Sequence, residues 1–144
     1  MTEISGPVSF PEFIFSFYTT PLFKLERLIL KLTVSKPSTD AQARQLAHGE
    51  INKFAAWHVE DRSENELLMC DFLGRTRSWF KVIPVSQTHT RLYFGSAISS
   101  RQNPKTGKHP LAFGFKTLLG FHQVYSMLLL YSARSRIRQQ QSTR

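Results

Sequence analysis

From residue 54 to residue 98 the side chains alternate with a period of two, in four runs: 54–60, 66–73, 77–85 and 91–98. That period belongs to strands with one face buried. The connections between the runs are short and polar. A parallel crossover needs a dozen or more residues, so neighbouring strands must be antiparallel. The chain is thereby committed to a β-meander, and every other segment must pack against it or beside it.

The turns predict a register. A two-residue turn at Gly74-Arg75 sets Asp71 opposite Ser78, Met69 opposite Phe80 and Leu67 opposite Val82. A three-residue loop at 62–64 sets Trp57 against Met69 and Val59 against Leu67. A turn centred on Gln87 sets Phe94 against Phe80 and Ser96 against Ser78. Together these place Trp57, Val59, Leu67, Met69, Phe80, Val82, Leu92, Phe94 and Ile98 on one face. The other face takes His58, Glu60, Arg77, Lys81, Arg91 and Tyr93, along with Cys70, Phe72 and Trp79.

The period before residue 54 is helical. Ser9-Phe10-Pro11-Glu12 resembles a capping box, and Thr20-Pro21 is a second start signal. Leu22, Leu25, Ile29 and Leu32 form an apolar stripe, with Lys24, Arg27 and Lys31 offset from it, and Lys36-Pro37 stops that helix. Ser38 or Thr39 caps a short helix over 40–48 that Gly49 ends. After a basic loop at 99–110, a long helix is expected from Leu111 to Arg138. Its apolar side chains reach nearly all around the axis between 111 and 131, so one side should lie on the sheet and the other under helices, a second subunit or lipid. The fold class is therefore α+β: N-terminal helices, an antiparallel β-meander and a long C-terminal helix packed on the sheet. One domain is expected over 1–138, followed by a frayed polar tail at 139–144.

Charge is distributed unevenly. All ten acidic residues lie at or before Asp71, where they meet seven Lys/Arg, whereas residues 72–144 carry twelve Lys/Arg and no acid. The halves thus hold −3 and +12, within a net charge of +9. The field favours an anionic partner for the C-terminal half. The single cysteine excludes an internal disulfide, and residues 1–10 lack the basic start of a signal peptide, so a cytoplasmic location is expected. The uncharged stretch 117–133 would be about 26 Å long as a helix, short of a ~30 Å hydrocarbon core.

The segments FAAWHVE, ELLMCDFLGRTRSWFKVIPV and TRLYFGSAI, followed by the helix LAFGFKTLLGFHQVYSMLLLY, resemble the helix-grip domains of the START/Bet v 1-like (SRPBCC) superfamily. The resemblance covers about residues 54–138 and is one of pattern. It implies a sheet gripping the last helix around a cavity for lipids or hydrophobic metabolites. The family fold has a strand before its first helices and six after them. Four are read here after residue 50, and a first strand has room only at 6–10. No catalytic set is shared across the superfamily, so none is carried over.

On these grounds the expected function is a small binding protein for a hydrophobic, anionic, lipid-like ligand. The cavity would be lined by Trp57, Met69, Asp71, Ser78, Phe80, Phe94 and Ser96, with Asp71, Ser78 or Ser96 orienting the polar end. Asp71 fits better a solvated hairpin end paired with Arg75 or Arg77, since strand ends are usually in water. Arg101, Lys105 and Lys108 are candidates for an anion, or simply a solvated basic loop. The alternative is a basic dimeric interaction module that docks on nucleic acid or an anionic membrane. Arg77, Lys81 and Arg91 with Trp79 and Tyr93 mix cations and rings as single strands require. Arg134, Arg136 and Arg138 would supply roughly 1 kcal/mol each near an anionic surface, short of the ~4.1 of millimolar binding.

Other chemistries find little. The five histidines do not cluster, no HExxH occurs, and neither a metal nor a cofactor is expected. Cys70 lacks an obvious base. Thr106-Gly107-Lys108 fails as a phosphate loop, since Gln102 stands where its first glycine belongs and His109 follows the lysine. No nucleophile–base pair points to an enzyme.

Overall fold

A hydroxyl caps each of the three N-terminal helices. In the computed structural model, which describes residues 1–35, 37–98 and 112–142, Ser9 Oγ accepts from the Glu12 amide at 3.3 Å. Thr20 Oγ1 accepts from the Phe23 amide at 3.2 Å, and Thr39 with Gln42 forms a full capping box. These caps start α1 (Phe10–Tyr18), α2 (Pro21–Val34) and α3 (Asp40–His48) by satisfying amides that no helical carbonyl can reach. Gly49 ends α3 at φ 77°, and α2 ends at Ser35, at φ 54°, just ahead of the Lys36-Pro37 stop.

Six strands form one antiparallel sheet: β1 (Thr2–Ser5), β2 (Lys53–Phe54), β3 (Trp57–Arg62), β4 (Glu66–Asp71), β5 (Thr76–Ser86) and β6 (His89–Ile98). Their spatial order is β1-β6-β5-β4-β3-β2, so the meander runs from β2 to β6 and β1 returns to the β6 edge. Helix α4 (Ala112–Ser142) follows. The α+β class and the antiparallel meander stand as expected. The first strand lies at Thr2–Ser5 rather than 6–10, and the expected run 54–60 is split into β2 and β3 by a tight turn with Ala55 at φ 50°.

The register holds at one hairpin and shifts at two. Phe80 faces Phe94 and Ser78 faces Ser96, as the turn near Gln87 requires. Asp71 does not face Ser78; Met69 does, and Leu67 faces Phe80. The cause is Asp71 itself. Its Oδ1 accepts from the amides of Arg75 at 2.6 Å and Thr76 at 3.1 Å, while its carbonyl accepts from Gly74 N–H at 3.0 Å. An aspartate-anchored four-residue loop thus replaces the two-residue turn. Across β3 and β4, Trp57 faces Asp71 and Val59 faces Met69, followed by a bulge between Val59 and Asp61. Both shifts are by two residues, which leaves every side chain on its expected face.

That face is closed by α1. Leu67, Met69, Phe80, Val82 and Leu92 are buried, and Phe13 and Phe17 of α1 stand on them. The Phe17 ring lies 4.8 Å from Phe80 and 4.6 Å from Phe94, centroid to centroid. Helix α4 packs beside α1, over the β6–β1 side of the sheet, through Leu129, Leu130, Ala133 and Ile137. It continues past the expected end at Arg138 through Ser142. There Gln140 Oε1 accepts from Ser16 Oγ at 3.4 Å and Gln141 donates to the Pro7 carbonyl at 3.4 Å, so 139–142 are tied to the N-terminal segment.

Candidate functional site

Helix α2 is turned inside out relative to its apolar stripe. Leu25, Ile29 and Leu32 of the stripe face outward, at 55%, 52% and 75% exposed, and Leu28 is exposed beside them. The inward side is instead Phe23 and Arg27, the latter only 9% exposed. Arg27 explains the rotation. It donates to Ser38 Oγ at 2.9 Å, to the Ser38 carbonyl at 2.7 Å and to Asp40 Oδ1 at 2.6 Å. A guanidinium satisfied on this many sides can be buried, and doing so ties α2 to the start of α3.

Helix α4 carries a matching stripe. At ~100° per residue, Leu129, Leu130, Ala133 and Ile137 point inward, which leaves Val124, Met127, Leu128 and Tyr131 on the outer side. All four of these are exposed, and two turns further along the same outer side is Arg138, also exposed. The two stripes meet at a seam where Tyr125 donates a hydrogen bond to Glu26 Oε2. Burial raises the Glu26 carboxyl above its ordinary range, with the Tyr125 hydrogen bond opposing that shift. Burial also raises the Tyr125 phenol, as does the neighbouring Glu26. One helical turn from Glu26 lie Leu22 and Ile29 on α2, and one turn from Tyr125 lies Leu128 on α4, so apolar side chains of both helices approach the seam. Lys31 of α2 and Arg138 of α4 are exposed on the same two helices, with Arg134 half-buried, while Lys24 is drawn to Asp40.

The outer face of the sheet is arranged differently. Trp79 and Tyr93 lie side by side with centroids 6.1 Å apart, as stacking platforms would. The cations around them are already engaged. Arg77 makes a two-pronged pair with Glu60 at 2.6 and 2.8 Å, Lys81 pairs with Glu66, and Arg91 pairs with Glu3 at 2.6 Å. The hydrogen bond from Arg77 holds the Glu60 carboxyl below its ordinary range, and that from Lys81 does the same for Glu66.

The residues expected to line a ligand cavity come together, but against other side chains. Met69 and Phe80 are fully buried beneath α1, Phe94 touches Phe17, and the Trp57 ring lies 5.8 Å from that of Phe23. The Trp57 Nε1–H is out of water and has no hydrogen-bond partner among the described residues. Ser78 and Ser96 are half-buried partners across β5 and β6. Asp71 is spent on its hairpin loop rather than aimed at a ligand. Arg101, Lys105 and Lys108 lie outside the described residues. What sequence reasoning missed is the outward α2 stripe. The available signal was Arg27, a residue able to satisfy a buried position, lying opposite four aliphatic side chains.

Among the described residues no helix is long and apolar enough to cross a membrane, and no three His, Cys, Asp or Glu are grouped as metal ligands would be. Compared with family models, curated proteins and solved structures, the chain matches none.

Proposed function

We propose that this protein docks on an anionic membrane surface through the joint outer face of α2 and α4, reaching it from the cytoplasmic side. The observation that carries this reading is the exposure of Leu25, Leu28, Ile29 and Leu32 beside Val124, Met127, Leu128 and Tyr131 in a chain of net charge +9. A leucine moved fully from water to an apolar phase gains roughly 1.5–3 kcal/mol, so a half-exposed one gains roughly 1 kcal/mol. Four such insertions, with roughly 1 kcal/mol for each of Lys31, Arg134 and Arg138, come to about 7 kcal/mol. That passes the ~4.1 kcal/mol of millimolar binding, which the arginines alone do not reach.

Charge selects among possible occupants. A second copy meeting this face would bring another +9 towards it, which opposes dimerisation. Nucleic acid would need the cations of the sheet's outer face, and Arg77, Lys81 and Arg91 are each held by a carboxylate. Cosedimentation with phosphatidylserine-containing vesicles tests the reading. Binding should exceed that to pure phosphatidylcholine and weaken with added salt. Leu25→Glu combined with Leu128→Glu should lower it by about tenfold or more, the cost of keeping two inserted groups in water. Equal binding by the double variant, or a wild-type dimer that the same substitutions dissociate, would sink it.

A second reading, favoured by topology, is a helix-grip-like carrier of a hydrophobic, anionic ligand. One strand before the helices, five after them, and closure of β1 on β6 support that resemblance. Any cavity must then avoid Phe80 and Phe94, where Phe17 sits. Native mass spectrometry with organic extraction decides this one: a stoichiometric lipid supports it, and a bare chain counts against it.

A further inference from the structure

Away from the α2–α4 face, a cleft of about 790 Å³ opens between the start of α1, the end of α3 and the last turns of α4. Glu12 and Phe15 of α1, Arg44 and His48 of α3, and Arg136 and Gln139 of α4 line it. No sequence motif announces this grouping, because it joins residues from three separate helices.

Several carboxylates elsewhere in the molecule are paired. Glu3, Asp40, Glu60 and Glu66 each have a cationic partner. Among the described residues, the side chains of Glu12, Arg44, His48 and Arg136 make no ion pair or hydrogen bond with one another or with any neighbour. Glu12 Oε1 and Arg136 Nε are, moreover, out of water without a partner. Keeping charged atoms desolvated and unpaired is unfavourable unless something else completes them. Arg44 is also held in place, its Cζ 4.4 Å from the centroid of the Phe15 ring. Stacking of this kind fixes the guanidinium while leaving its N–H edge free to grip a planar or tetrahedral oxyanion. The α1 terminus adds little, because Ser9 already takes the Glu12 amide and Pro11 has none to give.

We propose that this cleft binds a small zwitterion, with its phosphate or carboxylate group on Arg44 and Arg136 and its ammonium group on Glu12. The unpaired charges of both signs require both ends. A simple anion would leave Glu12 facing like charge, and a simple cation would meet two guanidinium groups. The proposal is independent of the membrane reading, since it uses none of the residues on that face.

Calorimetric and NMR titrations with O-phosphoethanolamine and with β-alanine test it, with inorganic phosphate and ethanolamine as single-charge probes. At least one zwitterion should bind more tightly than either single-charge probe and shift the resonances of Arg44, Arg136 and Phe15. The better of the two identifies the oxyanion as phosphate or carboxylate. Arg136→Gln should weaken that binding by about tenfold, as befits a lost charge-assisted hydrogen bond. Glu12→Gln should weaken the zwitterion but leave inorganic phosphate no worse bound, a difference that a merely unfolded variant cannot produce. No binding by either zwitterion, inorganic phosphate or ethanolamine binding equally well, or Glu12→Gln weakening the zwitterion and inorganic phosphate alike would overturn the proposal.

Discussion

Helices α1 and α2 are consecutive and both strongly apolar, yet they are used in opposite ways. In α1, Phe10, Phe13, Ile14, Phe17 and Tyr18 are buried against the sheet, α3 and α4. In α2 the aliphatic side chains face outward, and an arginine network holds the helix down. Apolar character alone therefore does not report burial. Each helix is oriented by whichever side chains find the better inward partners. Aromatic rings meeting Phe80 and Phe94 decide α1, and the Ser38 and Asp40 acceptors decide α2.

The largest expected effect breaks the comparison if it fails. Phe17→Ala removes a ring with neighbours on the sheet, Phe80 and Phe94, and on α2, Phe23, and should cost about 3–5 kcal/mol in urea unfolding. Leu32→Ala, at 75% exposure, should change stability by no more than about 0.5 kcal/mol. Equal losses would mean that the α2 stripe is packed after all.

The inner side of α2 gives the next effect. Asp40 bridges Lys24 Nζ and Arg27 Nη1, both at 2.6 Å. Asp40→Asn leaves Arg27 with its Ser38 contacts but no counter-charge, and should cost about 2 kcal/mol. Its pH dependence sharpens the test. Burial pushes the Asp40 carboxyl up, but the hydrogen bonds and charges of Lys24 and Arg27 outweigh that and hold it below the ordinary range. The stability it supplies is thus complete above the ordinary carboxyl pKa and disappears as pH falls through the lower, folded value. The gap between wild type and variant should close along that same acid limb of the stability curve. A gap that persists in acid would assign the loss to packing instead of charge.

The contrast between the helices also marks how far the sequence could be read. The strand faces were legible because a period of two survives a shift of two, so the wrong turn at Gly74 cost the expected partners of Asp71, Met69 and Leu67 but not the face they occupy. The turn was misjudged because glycine at 74 fits two loop lengths, and only the amides reaching Asp71 Oδ1 choose between them. Strand β1 escaped notice because four residues are too few to show a period, and their partner is about ninety positions away. The expected cavity residues were rightly grouped on one face. What covers that face depends on the docking of α1, and no alternation within the strands encodes a neighbour. For α2 the stripe was visible and its direction was not, since the acceptors that bury Arg27 lie in the following loop and at the start of the next helix.

The smallest effect lies at the seam between the α2 and α4 stripes. Glu26 sits half-buried under Tyr125, with its carboxyl raised chiefly by burial. The sign is opposite to that at Asp40. Below the ordinary carboxyl pKa both folded and unfolded chains carry the proton, and Glu26 costs nothing. Above the raised, folded value the chain must bury a carboxylate that the unfolded state would leave in water, and stability is lower by that difference. Glu26→Gln keeps an oxygen for the Tyr125 hydroxyl and removes the charge. It should stabilise the protein at neutral pH by less than about 1 kcal/mol, the scale of one hydrogen bond, and the gain should vanish as pH falls into the ordinary carboxyl range. Thermal unfolding of both proteins at neutral and acid pH measures it. A neutral-pH loss instead of a gain would mean that the Glu26 charge holds α2 against α4, making the seam a structural ion–dipole clasp instead of a tolerated burial beneath an apolar surface.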